Sequence, residues 1–191
     1  MKTKLLSSLN KVFKDTEPNF QSFGSYSALK NENFSFQVAF MAESKEETKI
    51  NVCVSSSINK NITVYLVKNI PAGKNGYDNS DSFHYDLERK EFPDLLEPIV
   101  DTIKVTRGQW HSLWIEVSAD EKPVGEADIK VALETPISKA EETFTLNIID
   151  NVLPPQKLLY TNWFHNDCLC TYYGVEVFSD KYWEIVDNYI K

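Results

Sequence analysis

A chain of 191 residues with 42% hydrophobic and 13% aromatic side chains carries enough apolar material for one domain core, or a domain and part of another, and lies outside the composition of disordered chains. Its 28 acidic residues outnumber the 20 basic ones, giving a net charge of −8 with no cluster of Lys and Arg. That removes the electrostatic footprint of a nucleic-acid binder, and no nucleic-acid partner is expected.

The start, Met1-Lys2-Thr3-Lys4-Leu5-Leu6-Ser7-Ser8-Leu9-Asn10, has the positive charge of a signal peptide without the apolar run that follows one. No stretch reaches the ~18 apolar residues of a membrane span, so no membrane partner is expected. Cys53, Cys168 and Cys170 are an odd count, with the close pair separated by one residue, which does not build a disulfide framework. The expectation is a reducing, cytoplasmic location.

In chain order, residues 1–30 are ambiguous. Leu5, Leu9 and Phe13 fit a helix, and Leu6 to Leu9 fit an edge strand. From there to about residue 150 the sequence reads as strands. Phe34, Phe36, Val38 and Phe40 alternate with Ser35, Gln37 and Ala39; Ile50, Val52 and Val54 alternate with Asn51 and Cys53; Ile62, Val64 and Leu66 follow the same rule. Leu113, Ile115 and Val117, then Ile129, Val131 and Leu133, then Phe144, Leu146 and Ile148 repeat it. Period-two alternation places each apolar set on one strand face.

Turns are expected at Ser57–Lys60, at Lys122-Pro123-Val124-Gly125 and over Pro136–Ala140, and such short links imply antiparallel neighbours. Residues 71–98 form a long polar and aromatic excursion with little periodicity. Six or seven strands, each with one apolar face, predict a mainly β fold: an antiparallel, immunoglobulin-like β-sandwich over residues 1–153.

At Asn151-Val152-Leu153-Pro154-Pro155-Gln156 the pattern changes, and residues 154–157 read as a Pro-rich linker. Over 158–191 the expectation is a strand at Leu158–Trp163, a loop rich in His, Asp and Cys, and a helix starting near Ser179-Asp180. That helix presents Tyr182, Trp183, Val186, Tyr189 and Ile190 at spacings of three and four. A lone strand and helix is half of a βα repeat, and a parallel strand requires parallel neighbours. This stub therefore either docks on the sandwich or opens a larger domain. If it is unpartnered, an exposed patch around Trp183, Val186 and Ile190 is expected, and with it self-association through the helix at 180–190 or a disordered tail.

Several motifs together resemble a known family. They are the strand Asn31-Glu32-Asn33-Phe34-Ser35-Phe36-Gln37, the segment Phe92-Pro93-Asp94-Leu95-Leu96, and the strand Gln109-Trp110-His111-Ser112-Leu113-Trp114-Ile115-Glu116-Val117. Gly125, the Leu153-Pro154 exit and Trp163-Phe164-His165-Asn166-Asp167 complete the set. The chain resembles bacterial proteins related to glycoside hydrolase family 123, which join an amino-terminal β-sandwich to a (β/α)8 barrel. The resemblance implies that 158–191 is the first strand, loop and helix of a truncated barrel. It also implies that the family's Asp-Glu catalytic pair, used in retaining hydrolysis of N-acetylated β-galactosides, lies on a later barrel strand outside this chain. No catalytic residue is therefore assigned here, and a carbohydrate partner is expected through the parent barrel.

Candidate sites follow. Trp163, His165 and Asp167 would sit at the carboxyl end of a barrel strand, where an aromatic face beside polar groups suits a sugar ring. Trp110 and Trp114 lie four apart on the side of their strand opposite Leu113, Ile115 and Val117, and could stack on sugars if that face were open. Large aromatics mostly serve cores and interfaces, so packing is the expectation. His84 and His111 read as structural or solvated. His165, Asp167, Cys168 and Cys170 lack the spacing of a zinc site, and Cys168 and Cys170 read as buried or redox-inert thiols, so no metal or cofactor is expected. Glu141 and Glu142 are adjacent and point apart, which does not allow them to flank a glycosidic bond.

Overall fold

The computed structural model describes residues 1–43, 48–58, 62–71, 91–119, 124–159, 161 and 165–190. The chain divides into two compact units, Met1–Pro154 and Pro155–Lys191.

The first unit is a two-layer β structure with ten strands among the described residues: β1 (Lys2–Ser7), β2 (Ser25–Lys30), β3 (Asn33–Met41), β4 (Thr48–Ser55), β5 (Ile62–Pro71), β6 (Glu91–Pro98), β7 (Thr102–Val105), β8 (Trp110–Ser118), β9 (Gly125–Thr135) and β10 (Ser138–Val152). One sheet runs β1-β3-β8-β5-β6 and the other β2-β10-β9-β4-β7. All pairings are antiparallel except β2 with β10, which is parallel.

The alternating sets meet between the layers. Phe36, Val38, Phe40, Leu113, Ile115 and Val117 from the first sheet pack against Ile50, Ile129, Val131, Leu133, Phe144, Leu146 and Ile148 from the second. Phe36 and Phe144 stack across the layers with centroids 4.1 Å apart and planes 9° apart. Burial of this one face per strand is the main favourable term in the fold.

The structure corrects the sequence reading in four places. The first is the amino terminus, which forms an edge strand earlier than Leu6–Leu9. It pairs with β3 from Lys2↔Met41 to Ser7↔Phe36, so no helix forms through Leu5, Leu9 and Phe13. The second is the excursion. Its final part, Glu91–Pro98, is strand β6, paired with β5 through a register shift at Lys68/Asn69, while residues 72–90, which include His84, lie outside the described residues. Pro93 and Pro98 break the alternation, and an edge strand tolerates them because one side of its backbone has no ladder partner.

The third correction concerns connectivity. β4 and β5 lie in different sheets, as do β8 and β9, so two of the three short links cross between layers instead of joining neighbours. Of these three links, Pro136-Ile137 closes a hairpin, β9 to β10, where the Ser138 N–H donates to Thr135 Oγ1 at 3.0 Å. The β7–β8 turn needs Gly108, whose φ of 67° is a left-handed value that costs glycine little.

The fourth concerns the second unit. Leu158, Leu159 and Thr161 belong to no strand, and Leu158 and Leu159 are 80% and 94% exposed; residues 160 and 162–164 lie outside the described residues. A parallel strand needs parallel partners, and no described strand pairs with this segment. The expected Cys-rich loop is instead a short helix, α1 (Asp167–Tyr173), closed by Gly174 in the left-handed region at φ 63°. Helix α2 (Asp180–Ile190) is capped by Ser179, whose Oγ accepts from the Tyr182 N–H at 3.2 Å. The two helices bury Leu169, Tyr182, Ile185 and Val186 together. Among the described residues no helix is long and apolar enough to cross a membrane.

Candidate functional site

The outer face of the first sheet is where the sequence and the structure diverge most. Strand register places Gln37, Trp114 and Tyr65 side by side in one row, and Ala39, Ser112 and Val67 in the next. An open sheet would leave both rows in water. Here Gln37 and Ser112 are buried, as is Ala39, because the segment after β1 crosses back over them.

Gln37 is the anchor of that crossing. Its side-chain amide donates to the carbonyls of Asn10 at 2.8 Å and of Ser7 and Ser8 at 3.2 Å each, while its Oε1 accepts from the Ser112 hydroxyl at 2.7 Å. Further along, Lys11 Nζ donates to the Pro93 carbonyl at 3.2 Å, Lys14 pairs with Glu91, and Phe13 meets Phe92 edge-on at 5.9 Å. The backbone N–H of Trp110 donates to the Lys14 carbonyl at 2.9 Å. Residues 8–20 are thus a strap fixed to β3, β8 and β6.

The strap separates the fates of the two tryptophans. Trp110 is 5% exposed and packs with Leu6, Val12 and Ala39, so it offers no ring face to a ligand. Packing is the expected role for it, and the stacking alternative is left without this ring. Trp114 lies at the strap's edge, only partly covered, and borders a hollow of about 280 Å³ with Asn10, Lys11, Val67, Asp94 and Leu96 among its walls.

His111 sits on the same strand but faces the other way. It stacks on Phe40 with centroids 5.7 Å apart, and its Nε2–H donates to the Thr106 carbonyl at 3.2 Å. Burial pushes its pKa below the ordinary value of 6.5, with the nearby Lys68 ammonium adding to the effect and the carbonyl opposing it. It is a structural histidine.

In the second unit, His165 and Asp167 are both strongly exposed, with Nδ1 and Oδ1 3.9 Å apart, which is beyond hydrogen-bond reach. Trp163 lies outside the described residues. Cys168 is exposed and Cys170 half-buried, both free, which corrects the buried alternative and leaves the redox-inert one. Two residues apart on a helix, they face different directions. Among the described residues, no three His, Cys, Asp or Glu side chains converge as a metal site would require. Glu142 accepts from the Thr3 hydroxyl at 2.6 Å, a bond that ties β10 to β1.

The sequence did not flag Gln37, Ser112, Lys11 or Asp94. Polar residues on the outward positions of a strand read as solvated, and only the course of the strap makes them structural or site-lining.

No protein-family model matches the sequence, and no curated protein shows a significant match. Among solved structures, the chain is similar in fold to a family 123 glycoside hydrolase from Clostridium perfringens, studied for glycolipid glycan hydrolysis. The TM-score is 0.70 at 14% identity, over 96% of this chain and 34% of that one. The chain thus spans about a third of that enzyme's length. Similarities to the N-terminal domain of PorA (TM-score 0.34, 8% identity, 74% of this chain and 99% of that one) and to the C-terminal domain of the Streptococcus agalactiae AgI/II polypeptide BspA (0.40, 10%, 76% and 49%) are too distant to carry an argument. The relationship supported is one of fold: a mainly β, two-sheet unit with a small helical unit after it.

Proposed function

We propose that this chain is the non-catalytic sandwich part of a carbohydrate-active, glycoside-hydrolase-like protein, and that it positions a catalytic barrel lying outside the chain. The observation that carries this reading is the fold likeness over 96% of the chain to 34% of a family 123 glycoside hydrolase. The motif resemblance, from Asn31–Gln37 to Trp163–Asp167, points the same way. Under this reading His165, Asp167 and Trp163 contribute to the rim of the barrel's sugar site, and the reacting carboxylates come from elsewhere.

The first test is hydrolysis. The purified chain, incubated with an aryl N-acetyl-β-hexosaminide, is expected to release the aryl group at the uncatalysed rate. Turnover above that rate that co-purifies with the chain would overturn the non-catalytic part of the proposal.

A second reading, a freestanding carbohydrate-binding module, is favoured by one observation, the partly covered Trp114 beside a hollow. It loses its two-tryptophan platform because Trp110 is buried. Self-association through the helix at 180–190 also stands as a proposal, now resting on Trp183, Tyr189 and Ile190, which are exposed, and no longer on Val186, which is buried.

A further inference from the structure

We propose that the hollow beside Trp114 is a seat for a single neutral sugar ring, a binding site independent of any catalytic barrel. Three features support that ligand chemistry. The apolar part of the lining includes Trp114, Val67 and Leu96, which suits the C–H face of a pyranose. The polar part includes Lys11, Asp94 and Asn10, residue types that donate and accept hydrogen bonds. One basic and one acidic residue cancel in charge, so the lining favours a neutral, polyhydroxylated ligand over an anion or a cation. At about 280 Å³ the hollow falls just below the ~300–1,000 Å³ typical of ligand pockets, with room for one ring and not a chain.

The site is also built, not incidental. Gln37 beneath it fixes the Ser8 and Asn10 carbonyls, and Lys11 is tied to the Pro93 carbonyl, so the strap wall and the β6 wall are held to each other before any ligand arrives. A preformed site of this kind loses little conformational entropy on binding.

The test is a titration of the full chain with the methyl β-pyranosides of glucose, galactose, N-acetylglucosamine and N-acetylgalactosamine, followed by amide and indole N–H chemical shifts. At least one is expected to give saturable shifts of the Trp114 indole and of amides 8–11 and 94–96, with a millimolar dissociation constant. Trp114→Ala is expected to weaken binding about tenfold or more. Asp94→Ala and Lys11→Ala, at exposed positions that leave the core intact, are expected to weaken it measurably, while Trp183→Ala in the second unit leaves it unchanged. No saturable shift with any of the four sugars overturns the proposal, as does binding that survives Asp94→Ala and Lys11→Ala together or is lost in Trp183→Ala. These outcomes are separate from hydrolysis: the hollow can fail while the scaffold reading stands, and the reverse.

Discussion

Replacing Gln37 tests the strap directly. Its amide carries two hydrogens for three carbonyls, so the 2.8 Å bond to Asn10 holds one and the two 3.2 Å contacts to Ser7 and Ser8 share the other; the Ser112 hydroxyl fills the oxygen. That amounts to three effective hydrogen bonds on a side chain that is 3% exposed. At a net worth of about 1 kcal/mol each, Gln37→Met, which keeps the volume and removes the polar groups, is expected to cost about 3 kcal/mol. Against a total stability of roughly 5–15 kcal/mol this is a large loss. Ser112→Ala removes one bond and is expected to cost about 1 kcal/mol, and the double variant should cost about 1 kcal/mol less than the sum of the singles, because the two share that bond. Urea unfolding of the full chain at 25 °C measures each difference. Hydrogen exchange adds a local signature: amides within 8–20 should exchange faster in Gln37→Met while those of β9 and β10 follow only the global change. A Gln37→Met variant within about 0.5 kcal/mol of the parent, with 8–20 still protected, would refute the view that this amide holds the strap.

Other consequences of the structure are as open to measurement. Burial depresses the His111 pKa, so the unfolded chain takes up that proton first as the pH falls. Stability from this group is full above its ordinary value of 6.5 and is lost as pH drops from there toward the lowered native value, with a slope no steeper than about 1.4 kcal/mol per pH unit. His111→Phe, which keeps the stack on Phe40, should flatten the stability profile between pH 7.5 and 5 in chemical denaturation, on the order of one proton's linkage. Phe144→Ala removes a fully buried ring that meets Phe23, Phe34 and Phe36, and should cost about 3–5 kcal/mol in urea unfolding. Ser179→Ala deletes the cap on α2 and should cost that helix about 1 kcal/mol, seen as faster exchange of its first-turn amides with the sandwich amides unchanged. If the exposed Trp183 and Ile190 drive association, the sedimentation coefficient should rise with concentration for the parent chain and stay constant for Trp183→Glu.

What the sequence made legible was the set of strands whose alternation is enforced by the core. β3, β4, β5, β8, β9 and β10 each place three or more β-branched, aromatic or leucine side chains at period two. The strands it missed lack that cause. β2 buries Ala28 alone, β7 has four residues, and β6 is interrupted by Pro93 and Pro98. Link length did not reveal which links change sheets, because a few residues suffice both to close a hairpin and to cross between layers. The helix α1 was read as a loop since Asp167-Cys168-Leu169-Cys170-Thr171-Tyr172-Tyr173 holds mostly weak helix formers, and its contact with α2 through Leu169 is a tertiary fact. For the candidate site, packing of Trp110 was the expected choice and burial agrees with it, whereas the hollow at Trp114 depends on backbone carbonyls of Ser8 and Asn10, which no pattern of side chains announces.

The central claim is that this sandwich works as the scaffold of a sugar-cleaving barrel, and the most direct test is on the protein made by its own cells. An antibody raised against residues 1–154 should detect a species longer than this 191-residue chain by roughly 200 residues, the rest of a ~250-residue barrel, and the immunoprecipitate should hydrolyse an aryl N-acetyl-β-hexosaminide. A species no larger than this 22.0 kDa chain, with no hydrolysis in the precipitate, would contradict the account.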